Sequence, residues 1–582
     1  MNLKGWSLDR LSPQQQSIVD APLDPMCVVA CAGSGKTKTA VERLAKIREK
    51  LGDSRSHVAL LSFSNVAVNT FRNIYSEKQG RYINNRVTID TFDGFITSNI
   101  LRPHAYRTMG CNRVPFLLNG SEPFLQNKKL KYWYEPTSTS KRSVEGAGIN
   151  DIVVNINDDG FDFSYRLGEK KYLTNNGLEV TKSLGLFGAY THELGKFWSL
   201  LTLACQPEIL RVIANRYPQI IVDEAQDVGE LHQGILELLI DQGVNVTLIG
   251  DPNQSIYEFA GATGEFIDIF NSNPENNSLD LSTNYRSIPE ILDVANAISG
   301  RTDKAVQTSD NDNHGAYYKV YDPKMTGKLV ELFESKVRQS SLSVTNSAVL
   351  FRGNSGIDKI SVESKFIGQG KTKLLALAAI HRGNSEYQKA FKLLVSCIVG
   401  LLDNTPDNLV SMLLSSSRYP EIRGMCQHIW LFLRSMDDGL PSAFLKGSCT
   451  WHPLVKERLI KLLDTIEEKY GYSKVSNIGN KLSKKGLTEE PLMLDPELAL
   501  GEKLTIRLDT VHQAKGESLD SVLYVASKSH IDELLNGVTT EVGRIGYVAV
   551  TRAKKLFVLG VPKSAVKELE PKLQGIGLRE LK

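Results

Sequence analysis

Short apolar runs alternate with stretches of helical periodicity along most of this chain. Met26–Ala30, Val58–Ser62, Val87–Asp90, Gln219–Asp223 and Val244–Gly250 read as buried strands, because a parallel strand covered on both faces is apolar nearly throughout. Ala348–Phe351, Ser521–Val525 and Leu556–Gly560 form a second such group. Strands alternating with helices predict parallel sheets covered by helices. Each group is interrupted. Residues 101–204 are rich in Asn, Gly, Lys and Tyr, whereas 374–499 read as helical. There Phe391, Leu394, Ile398 and Leu401 recur at helical spacing, as do Val455, Leu459, Leu462 and Ile466. The expected architecture is α/β. One parallel-sheet domain spans 1–100 and 205–280, a second spans 281–373 and 500–582, and each carries an inserted, mainly helical subdomain (101–204 and 374–499).

Composition changes this picture little. The chain has 582 residues, enough for about four domains or subdomains. Sixty-nine Lys plus Arg against 66 Asp plus Glu leave a net charge of +3, too balanced to announce a nucleic-acid partner. Apolar residues at 41% and charged residues at 23% fit packed cores. There is no apolar run long enough for a membrane span, and Met1–Gln16 lacks a signal-peptide core. Seven cysteines without a CxxC pair argue against a disulfide framework or a zinc ribbon. The expectation is a cytoplasmic, multidomain protein with no membrane partner.

The chemistry begins at Ala30-Cys31-Ala32-Gly33-Ser34-Gly35-Lys36-Thr37, between an apolar strand and a segment with Ala40, Val41, Leu44, Ile47 and Leu51 at helical spacing. Strand, glycine-rich turn and helix make a phosphate-binding loop. The glycines let backbone N–H groups turn inward around phosphates. Lys36 neutralises the β and γ oxygens, and the Thr37 hydroxyl holds Mg²⁺. Ala30 stands at the first glycine of the strict pattern. Gly368-Gln369-Gly370-Lys371-Thr372 imitates the loop, but no buried strand precedes it. It reads as a surface turn before a helix starting near Leu374.

Gln219-Ile220-Ile221-Val222-Asp223-Glu224 is an apolar strand ending in acids. Acids at the carboxyl ends of parallel strands sit where ligands bind in open α/β sheets. Asp223 suits Mg²⁺, and Glu224 suits the base that orients the attacking water. A solvated acidic strand end is the plainer alternative, but the phosphate loop demands such partners.

Asp223-Glu224-Ala225-Gln226-Asp227 together with Ile249-Gly250-Asp251-Pro252-Asn253-Gln254-Ser255-Ile256-Tyr257 resembles the superfamily 1 helicases of the UvrD/Rep/PcrA type. Further elements of the resemblance follow in order: Leu11-Ser12-Pro13-Gln14-Gln15, Ser62-Phe63-Ser64-Asn65, Thr91-Phe92-Asp93-Gly94-Phe95, Asn284-Tyr285-Arg286-Ser287, Thr510-Val511-His512-Gln513-Ala514-Lys515-Gly516 and Tyr547-Val548-Ala549-Val550-Thr551-Arg552-Ala553. The resemblance implies two RecA-like domains, ATP and Mg²⁺ as cofactors, and 3′-to-5′ movement on single-stranded DNA with unwinding of 3′-tailed duplex. It also implies roles. Gln15 reads adenine and Tyr285 stacks on it. Gln254 senses the γ-phosphate, which Arg286 and Arg552 reach from the second domain. Ala32, Gly33, Ser34, Gly35, Lys36, Thr37, Lys38 and Glu517 complete the nucleotide contacts. Phe63, Asn65, Thr91, Tyr257, Phe259 and His512 touch the strand. Stacking on such rings contributes roughly 1–3 kcal/mol per base and tolerates any sequence.

Some positions depart from the family pattern. Ala260 replaces a common arginine, Lys38 stands where an arginine often follows the loop, and Ser518 stands where a glutamate is usual, with Glu517 one residue earlier. Lys128, Lys129 and Lys131 beside Tyr132, Trp133 and Tyr134 could grip DNA or could edge a packed insertion. No nuclease motif is read near the C-terminal end. DNA repair is the default setting for the family. Phage defence beside a separate partner nuclease, as in Gabija-type systems, is the rival setting. A nucleotide-switched DNA-end-binding subunit that activates a partner nuclease is the alternative to a motor.

Overall fold

The computed structural model describes residues 11–79, 86–120, 122–137, 140–158, 160–168, 170–258, 261–309, 311–353, 356–357, 370–406, 409–414, 416, 419–494 and 506–581. They fall into two compact units, 1–320 with 510–582, and 321–509.

In the first unit six strands form one parallel sheet in the order Asn277–Leu281, Met26–Ala30, Asn245–Gly250, Gln219–Asp223, Val58–Ser62, Val87–Thr91. All five residues of Gln219–Asp223 and of Val58–Ser62 are buried, as interior strands of a doubly covered sheet must be. Asn277–Leu281 lies at the edge and buries only Leu281, which explains why its polar sequence gave no apolar run to read. The helix Lys36–Lys50 buries Ala40, Val41, Leu44 and Ile47.

The same unit holds strands of a second sheet, in the order Leu519–Val525, Ala553–Pro562, Gly315–Tyr321, Arg579–Glu580. Leu519–Val525 and Ala553–Pro562 run parallel. The helix Glu541–Arg552 precedes Ala553–Pro562 directly and buries ten of its residues, Gly543 to Arg552. It is a core helix that carries functional side chains.

The insertion at 101–204 is mixed rather than mainly helical, with strands beside its helices Arg102–Met109, Gly177–Leu186 and His192–Cys205. It contains an antiparallel sheet of Ile152–Asn157, Gly160–Leu167 and Lys170–Leu173, and a hairpin of Trp133–Thr137 with Ser140–Ser143. At strand ends Gly160 and Gly168 have φ of 131° and 63°, which glycine adopts without a Cβ penalty. The basic aromatic cluster is divided in the same way. Tyr132 is buried, bonded to Thr181 Oγ1 at 2.7 Å, and Tyr134 packs on Tyr165 and Tyr172. Lys128 and Lys129 face solvent, and Lys131 pairs with Glu145 at 2.6 Å. Tyr132 and Tyr134 are thus packing residues, and Lys128 and Lys129 are the solvated part of the cluster.

In the second unit the described part of 374–499 is mainly helical, as read, and the strands Ser347–Phe351 and most of Arg507–Thr510 flank it in the chain. Helices Tyr387–Val399, Arg423–Arg434 and His452–Tyr470 enclose Leu394, Ile398, Leu459, Ile466 and Trp451. The helix after the false phosphate loop starts at Lys371, not near Leu374, with Gly370 at φ 85° before it. Thr372 is buried and donates to the Ser483 carbonyl at 2.9 Å, so its hydroxyl is spent on packing.

Among the described residues no single helix is long and apolar enough to cross a membrane. The apolar pair His192–Cys205 and Pro207–Arg216 is bent by 103° and packs Leu194, Phe197 and Trp198 into the core.

Leu248 lies fully buried on the strand between Met26–Ala30 and Gln219–Asp223. Leu248→Ala should cost about 2–5 kcal/mol by the transfer and cavity terms. Urea unfolding followed by tryptophan fluorescence checks this, and an unchanged midpoint would contradict the central position of that strand.

Candidate active site

Strand Met26–Ala30 runs straight into the turn Cys31–Gly35. Gly33 and Gly35 have φ of 75° and 82°, so backbone N–H groups can turn toward one point. The helix Lys36–Lys50 has no side-chain cap, which leaves its first N–H groups and positive dipole end open to an anion. Lys36, Thr37 and Lys38 are partly exposed there.

The loop is clasped from outside. Gln15 Nε2 donates to the Ser34 carbonyl at 3.1 Å, and Gln15 Oε1 accepts from Ser12 N in a capping box. Asn284 Nδ2 donates to the Ala32 carbonyl at 2.6 Å, and Tyr285 N to the Gly33 carbonyl at 2.9 Å. The contact is tight: a Cβ on Gly33 would meet Arg286 Cβ at 2.6 Å, and one on Gly35 would meet Gln15 Nε2 at 2.7 Å. Gly33 is therefore required by space as well as by φ, and Gly35 by φ.

Two sheet strands away in the order, Asp223 ends its strand buried, and its Oδ1 has no hydrogen-bond partner. Glu224 follows in the left-handed region at φ 54°, unusual for a residue with a side chain. Its carboxylate accepts from Gln226 Nε2 at 2.5 Å. Burial, then the charge of Glu224, raises the Asp223 carboxyl above its ordinary range. Burial also pushes on Glu224, but Lys36, Lys515, the Gln226 amide and Arg552 together hold it below the usual range. Of two adjacent acids, one is driven toward the neutral form and the other stays ionised.

A cation fits this arrangement. The orphaned Asp223 oxygen and the Thr37 hydroxyl are hard oxygen donors of the kind Mg²⁺ takes. Among the described residues no group of three His, Cys, Asp or Glu is gathered for a metal. That suits an ion whose remaining ligands are phosphate oxygens and water.

The other side of the site comes from the second sheet's elements. Arg552, 2% exposed, donates from Nη2 to Gln254 Oε1 at 2.8 Å and from Nη1 to the Glu517 carbonyl at 3.3 Å. Gln254 Nε2 donates to Asp251 Oδ2 at 2.6 Å, which fixes the Gln254 carbonyl toward Arg552. Arg286 donates to the Thr551 carbonyl at 2.8 Å. Desolvation, and after it the neighbouring Arg552, pulls Arg286 down to about 9. Burial lowers Arg552 as well. Lys515 forks both oxygens of buried Asp227 at 2.6 Å, and burial nonetheless lifts Asp227 to about 6.

The residues expected on the strand path are placed unevenly. Phe63 is partly buried, edge-on to His232 at 5.6 Å. Asn65 is exposed at the start of the helix Asn65–Gln79. The Thr91 hydroxyl accepts from Gly94 N at 2.9 Å and so caps a helix. Tyr257 lies under Lys515 Nζ, 4.6 Å from the ring centre, with His512 at 5.8 Å. His512 Nε2 meets the Ile256 carbonyl at 3.0 Å. Phe259 and Ala260 lie outside the described residues. Sequence reasoning missed Gln226, Asp227, Asp251, Asn284 and Lys515 as working parts, although each stands inside a quoted motif. Arg544 gave no signal, being one arginine on a helix.

Residues 11–275 match the model of the UvrD/REP helicase N-terminal domain. The chain is 25% identical over 364 residues to a probable DNA helicase II homolog of Mycoplasma capricolum, covering 59% of this chain and 46% of that protein. It is 25% identical over 392 residues to the ATP-dependent DNA helicase Rep of Salmonella typhimurium, covering 62% and 54%. It is 24% identical over 411 residues to the ATP-dependent DNA helicase UvrD1 of Mycobacterium leprae, covering 62% and 49%. The chain thus spans about half the length of these curated relatives. By the match at 11–275 and by these relatives, the chain is similar to the superfamily 1 helicases of the UvrD type.

Proposed function

We propose that this chain is an ATP- and Mg²⁺-dependent motor on single-stranded DNA that moves 3′ to 5′ and unwinds 3′-tailed duplex. The observation that carries the reading is the Arg552–Gln254 contact, 2.8 Å, with Arg286 packed on Gly33. It sets a side chain of one sheet's helix against Gln254 beyond a strand end of the other, with Arg286 against the phosphate loop. A triphosphate between them meets Lys36, Arg286 and Arg552, and supplies the negative charge that the two desolvated guanidinium groups lack.

Hydrolysis then follows from the residues. Glu224, ionised at neutral pH, takes a proton from water as its oxygen bonds the γ-phosphorus, and the bond to the β–γ bridging oxygen breaks. Asp223 and Thr37 would hold Mg²⁺, which would supply charge neutralisation to the phosphate oxygens. Gln15 and Tyr285 are assigned to adenine, Glu517 to the ribose side, and Ala32 to Lys38 to the phosphates. Phe63, Asn65, Thr91, Tyr257, Phe259 and His512 are assigned to the strand. The domain division is assigned with them: 1–100 and 205–280, with insertion 101–204; 281–373 and 500–582, with insertion 374–499. Opening and closing between the two sheet domains as phosphate is bound and released is the stroke.

Lys36→Ala should abolish ATP hydrolysis. Glu224→Gln should bind a fluorescent ATP analogue as the parent does, yet turn over about 10²- to 10⁴-fold more slowly. Wild-type turnover in Glu224→Gln removes it as the base. With ATP and Mg²⁺ the parent should displace the strand of a 3′-tailed duplex and not of a 5′-tailed one. Displacement from the 5′-tailed substrate alone reverses the assigned direction. DNA-stimulated hydrolysis with no displacement replaces the motor by a nucleotide-driven switch.

A further inference from the structure

One face of the helix Glu541–Arg552 follows the segment Asp251–Glu258 along its length. Arg544, Val548 and Arg552 are four residues apart and so share a face, with Tyr547 beside them. At the C-terminal end Arg552 bonds Gln254 Oε1 at 2.8 Å. Midway, Tyr547 OH donates to Asp251 Oδ2 at 3.4 Å. At the N-terminal end Arg544 Nε donates to the Ser255 carbonyl at 2.6 Å, and Arg544 Nη2 pairs with Glu258 Oε1. The Glu258 N–H in turn donates to Glu541 Oε1 at 3.1 Å.

The two partners of that ion pair differ in exposure. The Arg544 side chain is 9% exposed and is further fixed by the Val538 and Thr539 carbonyls at 3.1 and 3.3 Å. The Glu258 side chain is 39% exposed. It adjoins Tyr257, the ring proposed to stack on the strand. A shift of the Tyr257–Glu258 backbone therefore pulls on a guanidinium anchored in the helix. A 12-residue helix is stiff and about 18 Å long, so a pull at Arg544 is felt at Arg552.

We propose that the Glu258–Arg544 pair couples occupancy of the strand path at Tyr257 to the placement of Arg552, with Glu258 and Arg544 as positioning residues rather than catalytic ones. The inference rests on the motor reading above and adds how its two sites communicate. Coupling of this kind is reciprocal: the bound nucleotide must change strand affinity by the factor by which the strand changes nucleotide affinity. Removing the Glu258 charge leaves the three carbonyl bonds of Arg544 in place, so the fold is kept while the end of the helix next to the strand path is released.

The test uses the full chain and a fluorescein-labelled oligo(dT). Anisotropy gives its affinity with and without a non-hydrolysable ATP analogue and Mg²⁺. In the parent the analogue should shift oligo(dT) affinity by about fivefold or more, the lower range of allosteric couplings, and in Glu258→Gln by less than about twofold. DNA-free ATP hydrolysis and the thermal midpoint should match the parent in that variant. A full shift in Glu258→Gln overturns the coupling, as does a parent whose oligo(dT) affinity ignores the analogue. A parent that hydrolyses ATP without any stimulation by oligo(dT) overturns the motor reading and the coupling with it.

Discussion

Two desolvated arginines, Arg552 buried and Arg286 half-buried, are the constraint around which the site is organised. Arg286 and Arg552 each lose solvation, and the charge of Arg552 makes that of Arg286 more costly. Such a pair persists only where hydrogen bonds hold it and an anion compensates it. The Thr551, Val548 and Glu517 carbonyls and the Gln254 amide supply the hydrogen bonds. The nearby acids compensate only in part, because burial raises Asp223 and Asp251. A triphosphate fits the remaining charge, and the open first turn of the helix after Gly35 faces the same need.

From this constraint the rest of the geometry follows. The arginines cannot be buried from one sheet alone. They come from Asn284–Ser287 and from the end of Glu541–Arg552, while Gln254 and Glu224 come from the first sheet's strand ends. Asn284 ties the two, donating to the Ala32 carbonyl and accepting from the Arg286 and Ser287 N–H groups at 2.9 and 2.8 Å. One amide thereby orients the phosphate loop and the turn that launches Arg286.

Much of this was legible from residues alone, for definite physical reasons. Interior parallel strands are apolar nearly throughout, so Met26–Ala30, Val58–Ser62 and Gln219–Asp223 have the same bounds in sequence and structure. The edge strand Asn277–Leu281 faces water and carried no such mark. The insertion at 101–204 misled because its strands are short and Gly160 and Gly168 sit at strand ends, where Asn- and Gly-rich composition says nothing of the pairing between them. Lys371 and Thr372 resembled a phosphate loop because Gly370 does adopt a left-handed turn before a helix; the Thr372 hydroxyl went to Ser483 instead. What no single-sequence pattern could supply was partnership across distance. Lys515 with Asp227 and Arg544 with Glu258 are ordinary charged residues until the fold joins them.

The central claim is that side chains from both sheets act on one triphosphate. It is tested most directly by ATP hydrolysis and ATP binding in Arg552→Ala with saturating single-stranded DNA. The account predicts a fall in kcat of about 10³- to 10⁵-fold, the range for loss of an arginine finger, with nucleotide still bound. Turnover equal to the parent's would contradict it.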